Sequence, residues 1–331
     1  MSSNIIAIVG ATGNQGSSVA HTFLALPHWQ VRCLTRNPSS PAAQALSAAG
    51  AEVVAADLED PASLDRAFSD VTAVFLNTDF WVPFAAACAR GVPPQESITE
   101  AWGTEVRHAK NAALAAAKQP SLRRFVYSAL GPMARGSGGK YPHCAHWESK
   151  AAAADFMEKE VPELQGKLSM FYAGAYHDNA LLYPQQYEGL DGWNIVLPDA
   201  AYTRMPVLRA KDASGPYVRA LIEDEEPGVK LEAYDCLVSA QEAVDTWAKV
   251  TGKQAKLLTV SSEEMHRITG IPDEVLDGAR SIAEFGYMAG VEGKVLRPED
   301  LKNKVPGMAW EDILRQRGID NVLATAVPRL F

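Results

Sequence analysis

The sequence predicts an α/β fold, a doubly wound parallel sheet followed by a smaller, irregular α+β C-terminal domain. Three observations predict it: short β-branched runs alternating with helical spacing, a glycine-rich turn directly after the first run, and a loss of that rhythm in the second half. The runs Ile5–Val9, Val31–Leu34, Val53–Ala56, Val71–Leu76, Phe125–Ser128 and Leu168–Ala173 have the continuous apolar character of strands covered on both faces. Between them, Ser17–Leu26, Ser63–Phe68, Thr104–Lys118 and His146–Lys159 carry apolar residues at helical intervals. Pro61-Ala-Ser63 is favourable chemistry for a helix start. Gly136-Ser-Gly-Gly139 predicts a flexible loop. Beyond Gly174 the chain turns at Asp191-Gly192 and Glu226-Pro-Gly228, and only scattered runs such as Leu257–Val260 suggest strands. The expected domains are therefore 1–173 and 174–331, with segments such as 257–261 free to return to the first sheet.

The 331 residues carry 31 basic and 40 acidic side chains, a formal charge of −9, so the molecular field repels polyanions. With no basic stripe beyond pairs such as Arg123-Arg124, nucleic acid is not an expected partner. No run of apolar residues is long enough to span a bilayer, and the apolar start Ile5–Val9 stops at Gly10. The four cysteines, Cys33, Cys88, Cys144 and Cys236, lack framework spacing and read as free thiols of a reducing compartment, the cytoplasm with the nucleus also open.

The most informative stretch is Gly10-Ala-Thr12-Gly13-Asn14-Gln15-Gly16, placed between the first strand and the first helix. Gly10 permits a tight turn, Gly13 lets the backbone approach a pyrophosphate, and Gly16 permits close helix–strand packing, while the helix start offers N–H groups to an anion. This predicts a Rossmann-like dinucleotide site. At the end of the second strand stands Arg36 rather than a carboxylate, which suits a ribose 2′-phosphate and favours NADP(H) over NAD(H). By topology, Asp57 and Leu58 should lie near the adenine, and Asn77, Thr78 and Phe80 near the ribose and nicotinamide.

Gly10-Ala-Thr-Gly13-Asn-Gln-Gly16, Arg36-Asn-Pro38, Tyr127-Ser128 and His146-Trp-Glu-Ser-Lys150 together resemble the NmrA-like family of atypical short-chain dehydrogenases/reductases. The likeness runs nearly the whole length: Gly174 to Asn179 is similar to the family's segment beside the nicotinamide, which adds Tyr176 to the cofactor residues. Met205-Pro-Val207 through Val218, and Trp310–Gly318, also match. The resemblance implies an NADP(H)-binding domain and a smaller substrate or partner domain.

Within the wider superfamily, the resemblance implies Lys150 as the lysine of Tyr-x-x-x-Lys, holding the nicotinamide ribose, and Ser128 as a carbonyl-orienting serine. The tyrosine position is occupied by His146, an imidazole able to donate a proton or to hydrogen-bond structurally. Two functions follow. One is an NADPH-dependent oxidoreductase reducing a carbonyl, quinone or conjugated alkene of an aromatic small molecule. The other is a catalytically silent NADPH/NADP⁺ sensor or transcriptional co-regulator acting through a protein partner. Trp81, Phe84, Trp102, Trp147, Tyr172, Tyr176, Tyr183, Tyr187 and Trp193 could line an aromatic substrate site or seal the interface between the domains. His143-Cys144-Ala-His146 lacks a matching ligand pair among the other histidines, so no metal is expected.

Overall fold

The computed structural model describes residues 4–198 and 204–325. Strand β1 (Asn4–Val9) sits between two cores: Ile6 and Ile8 face one, Ala7 and Val9 the other. Helix α1 (Asn14–Leu24) buries Val19, Ala20 and Phe23 against the first. Then come β2 (Trp29–Thr35), α2 (Pro41–Ala48), β3 (Glu52–Ala55), α3 (Pro61–Ala67) and β4 (Ala73–Leu76). Both short helices begin with proline at their start and a capping side chain, Ser40 for α2 and Asp60 for α3.

Helix α4 (Trp81–Ala89) was not legible in the sequence, and α5 (Pro94–Ala117) starts well before the Thr104 expected. Gly103 disguises α5, yet nothing lies within 4 Å of where its Cβ would be, and the helix passes through it. Strand β5 (Arg124–Ala129), helix α6 (Met133–Gly136), helix α7 (Ala145–Glu160) and strand β6 (Leu168–Ala173) complete the first half. Gly136 belongs to a tight packing point rather than to the flexible loop expected: a Cβ there would fall 2.6 Å from the Ala289 carbonyl carbon.

The second half comprises β7 (Ala175–Tyr176), β8 (Trp193–Pro198), β9 (Met205–Leu208), α8 (Ala210–Arg219), β10 (Lys230–Ala233), β11 (Cys236–Val238), α9 (Ala240–Thr251), β12 (Ala255–Val260), α10 (Ser262–Thr269), α11 (Asp273–Phe285), β13 (Val295–Leu296) and α12 (Trp310–Arg317). The large parallel sheet has eight strands in the order β13-β10-β6-β5-β4-β1-β2-β3. The segment 257–261 does not return to it. That place is taken by Lys230–Ala233, whose Leu231 and Ala233 enter the first core, whereas the half-buried β12 pairs with β8 in a separate two-stranded sheet. A third sheet is β11-β9-β7.

Helices α1 and α8 pack on one face of the large sheet, and α3, α5 and α7 on the other. The α1–α8 contact is close because of Gly215, whose N–H donates to Ser18 Oγ at 2.9 Å. Any Cβ at Gly215 would lie 2.3 Å from the Ser18 carbonyl oxygen. Trp147, Tyr183 and Trp247 are buried in a third core that the second half builds against Met133, Cys144 and Trp147 of the first, with Trp193 packed against it. Tyr172 is buried in the second core, so these aromatic residues are structural filling. Among the described residues no helix is long and apolar enough to cross a membrane.

Candidate active site

The strand order reverses between β1 and β4, which opens a crevice at their carboxyl ends. The three glycines shape its floor. Gly10 has φ +76°, and a Cβ on it would press to 3.1 Å from the Asn77 carbonyl oxygen, so the ends of β1 and β4 touch there. The Gly13 N–H donates to the Gly10 carbonyl at 3.0 Å. Gly16 is the tightest, since its Cβ would lie 2.1 Å from that same carbonyl oxygen. Helix α1 starts with no side-chain cap and no acidic residue in its first turn. Its positive end and first N–H groups, beside exposed Thr12 and half-buried Asn14, therefore remain available to an anion.

Gln15 is 4% exposed. Its Nε2 donates to the Tyr176 phenol at 2.9 Å, while its buried Oε1 has no partner. Burial pushes the Tyr176 phenol up from its ordinary value. Tyr176, Asn14, His177, Asp178, Ala210, Lys211 and Arg317 line an open pocket of about 160 Å³.

Arg36 lies one residue past β2, exposed and without an ion pair to any described residue. Asp57 follows β3 in a fixed turn: its carboxylate accepts from Glu59 N–H and its own N–H donates to Ser63 Oγ. The Leu58 carbonyl accepts from Asn111, and its side chain packs on the second core. Phe80 is 2% exposed, clustered with Phe84 and Ala101 beneath Trp81; its ring is used in packing. Leu76 pairs with Tyr127, so Asn77 and Ser128 stand level at the next position, Ser128 being almost fully buried.

The end of β4 is locked to α5 and α7 by a charged network. Lys150 Nζ lies 2.8 Å from Glu105 Oε1 and donates to the Thr78 carbonyl at 2.8 Å. Thr78 Oγ1 donates to Glu105 Oε1, and Ser149 Oγ donates to Glu105 Oε2. Burial by itself would raise the Glu105 carboxyl; the Lys150 charge and the three donors outweigh it and hold it below the ordinary 4.5. Tyr127 OH lies 3.4 Å from Thr78 Oγ1, and burial, reinforced by Glu105, pushes its phenol well up.

His146 is one helical turn before Lys150 on α7. Its Nδ1 is 2.6 Å from Glu274 Oε1 of α11, and its ring packs on Trp81 with centroids 5.1 Å apart. The neighbouring His143 pairs likewise with Asp277, at 2.9 Å. Cys144 between them donates to the Glu274 carbonyl, and burial pushes its thiol far up, so it is unreactive. The structure thus gathers Lys150, Thr78 and Asn77 at one crevice with the glycine turn, and sets His146 over the end of β4. Glu105 and Glu274 were missed by sequence reasoning, and Tyr127 entered it only as part of the Tyr127-Ser128 motif, with no role at Thr78. A signal for Glu105 exists: it stands in the apolar stripe of α5, four residues from both Ala101 and Ala109.

Residues 2–306 match the NmrA-like family. The chain belongs to the NmrA-like family. The NmrA-like family domain-containing oxidoreductase cpsB of Aspergillus campestris is 27% identical over 97% of this chain and 93% of its own length. Two other NmrA-like family domain-containing oxidoreductases, of Aspergillus japonicus and Aspergillus hancockii, are 51% and 53% identical, but the chain spans only 23% and 22% of their length. Among solved structures, NmrA, a negative transcriptional regulator, superposes with a TM-score of 0.65 at 18% identity, covering 99% of this chain and 93% of that one. The Escherichia coli NADPH-dependent quinone oxidoreductase QOR2, complexed with NADPH, gives 0.65 at 19% identity, covering 93% and 97%. This NmrA-like chain therefore has a Rossmann-like fold, its large parallel sheet completed by β10 and β13 from the second half.

Proposed function

We propose that this NmrA-like protein is an NADP(H)-dependent oxidoreductase that reduces a carbonyl, quinone or conjugated alkene of an aromatic small molecule. The observation that carries the reading is the placement of Lys150 at Thr78, on the strand end that faces the Gly10–Gly16 turn. A dinucleotide fits the residues present on two counts. The glycine turn leaves no room for side chains where backbone must approach a phosphate, and the buried Gln15 Oε1 still lacks a hydrogen-bond donor.

When bound, the nicotinamide supplies hydride. The start of α1, with Thr12, Gly13 and Asn14, binds the pyrophosphate, and Arg36 binds the 2′-phosphate, with Asp57 and Leu58 toward the adenine. Lys150, held by Glu105, orients the nicotinamide ribose with Asn77 and Thr78, while Gln15 and Tyr176 face the nicotinamide. The rings of Trp81 and His146 give an aromatic substrate a flat surface.

Calorimetric titration of NADPH and NADH tests the cofactor assignment. Arg36→Ala is expected to weaken NADPH about tenfold or more and leave NADH unchanged, since a charge-assisted pair contributes roughly 1.5–3 kcal/mol. An unaltered NADPH/NADH ratio would overturn the 2′-phosphate role. NADPH oxidation against a panel of quinones and aromatic carbonyls tests the reaction. Tight NADPH binding with no turnover of any member would replace it by the sensor reading, in which binding alone alters a protein interface.

A further inference from the structure

We infer that Glu274 is a positioning residue that makes His146 the proton donor of this site. The inference rests on the reductase reading for its chemical step, but its geometric content is independent of turnover.

Glu274 is 4% exposed and comes from α11, far along the chain from α7. Its two oxygens take three N–H groups at the start of α7: Oε2 accepts the Ala145 N–H at 3.0 Å, and Oε1 accepts the His146 N–H at 2.9 Å together with the His146 ring. A helix start lacking a cap of its own is thereby capped from outside, since the local N-cap Cys144 makes no side-chain cap hydrogen bond. The ring contact adds something a cap does not need. An ionised carboxylate only accepts hydrogen bonds, so Nδ1 must carry the proton, and the neutral ring is fixed as the Nδ1–H tautomer. Trp81 and Phe80, with ring centroids 5.1 and 6.0 Å away, hold the ring plane.

The opposite nitrogen, Nε2, makes no hydrogen bond to a described residue, and the His146 side chain keeps 19% of its surface exposed. Nε2 is thus the nitrogen left to meet a ligand, on the α7 face that carries Lys150 one turn on. With Nδ1 held on Glu274, the protonated ring gives its Nε2 proton to the substrate oxygen. That oxygen receives the carbonyl π electrons as hydride adds to carbon; an alcohol and NADP⁺ form, and solvent reprotonates Nε2. Charge and atoms balance without a further reagent.

The fold contains its own control. Asp277, one turn along α11, accepts both the His143 N–H and the His143 ring, but that side chain is 61% exposed. If Glu274 served only to dock α11 on α7, Glu274→Gln and Asp277→Asn would act alike. With 9,10-phenanthrenequinone and NADPH, His146→Ala and Glu274→Gln are expected to lower kcat at least tenfold with NADPH affinity held within about twofold. Asp277→Asn should stay within about threefold of wild type, and added imidazole should restore part of the His146→Ala rate. Wild-type turnover with undiminished kcat in His146→Ala or Glu274→Gln would overturn the inference and leave the reductase reading standing. Nitrogen-15 spectra of the neutral His146 ring provide the second readout, needing no turnover. A protonated Nδ1 and bare Nε2, lost in Glu274→Gln, is expected; a protonated Nε2 in the wild type overturns the inference, whereas no quinone turnover with the expected spectra removes the reductase reading alone.

Discussion

Glu105→Ala is expected to lower the unfolding free energy by about 3–5 kcal/mol at neutral pH, because it strands the Lys150 ammonium in a site where that side chain is only 13% exposed. The Thr78 and Ser149 hydroxyls would lose their acceptor as well. Urea unfolding measures the loss. Removing the charge together with its partner, in Glu105→Gln/Lys150→Met, should recover much of it, since breaking a buried pair costs more than replacing it. The sign with pH follows from the lowered Glu105 carboxyl. Its stabilisation is complete above the unfolded value of 4.5 and disappears as pH falls through the lower folded value, so wild type and Glu105→Ala should converge in acid. A loss below 1 kcal/mol at neutral pH would show that the pair does not hold the end of β4.

Gly16→Ala should weaken NADPH by about a hundredfold or more and cost roughly 1–3 kcal/mol of stability, the usual penalty of overpacking. Its new methyl would meet the Gly10 carbonyl oxygen at 2.1 Å, and that neighbour is backbone, with no rotamer to relax into. Helix α1 must then lift from the turn, carrying its N–H groups away from the pyrophosphate. Gly103→Ala is the matched control: it sits in α5 with nothing within 4 Å of the new atom, so it should stabilise by about 0.5–1 kcal/mol and leave NADPH binding alone. Calorimetry on the two variants separates a specific clash from a general intolerance of glycine replacement. Equal NADPH affinity in Gly16→Ala would show that the turn does not hold the phosphates.

The parallel sheet was legible because its strands are covered on both faces, and continuous apolar runs such as Ile5–Val9 and Leu168–Ala173 have few alternatives. The glycine turn was legible because its register relative to a strand and a helix is itself a steric requirement. What the sequence concealed is non-local. Lys230–Ala233 has charged residues at two of its four positions, Lys230 and Glu232, and gives no strand signal until β6 presents an edge for it. The partners of Lys150 and His146, Glu105 and Glu274, lie 45 and 128 residues away, distances at which spacing carries no information. Gly136 looked like slack chain because its reason for being glycine, the backbone of Ala289, arrives from the far half.

That interleaving has a bearing on how the molecule is made. Strand β6 is flanked on one side by β5 and on the other by β10, and β10 by β13, so the edge of the sheet closes only after residues 230–233 and 295–296 have been synthesised. A nascent chain that has emerged only as far as Ala173 carries β6 with a row of unpaired N–H and C=O groups beside apolar side chains, an arrangement prone to self-association. The second half thus supplies the strands that cover that edge, through pairings of high sequence separation, the kind of contact that slows folding in general.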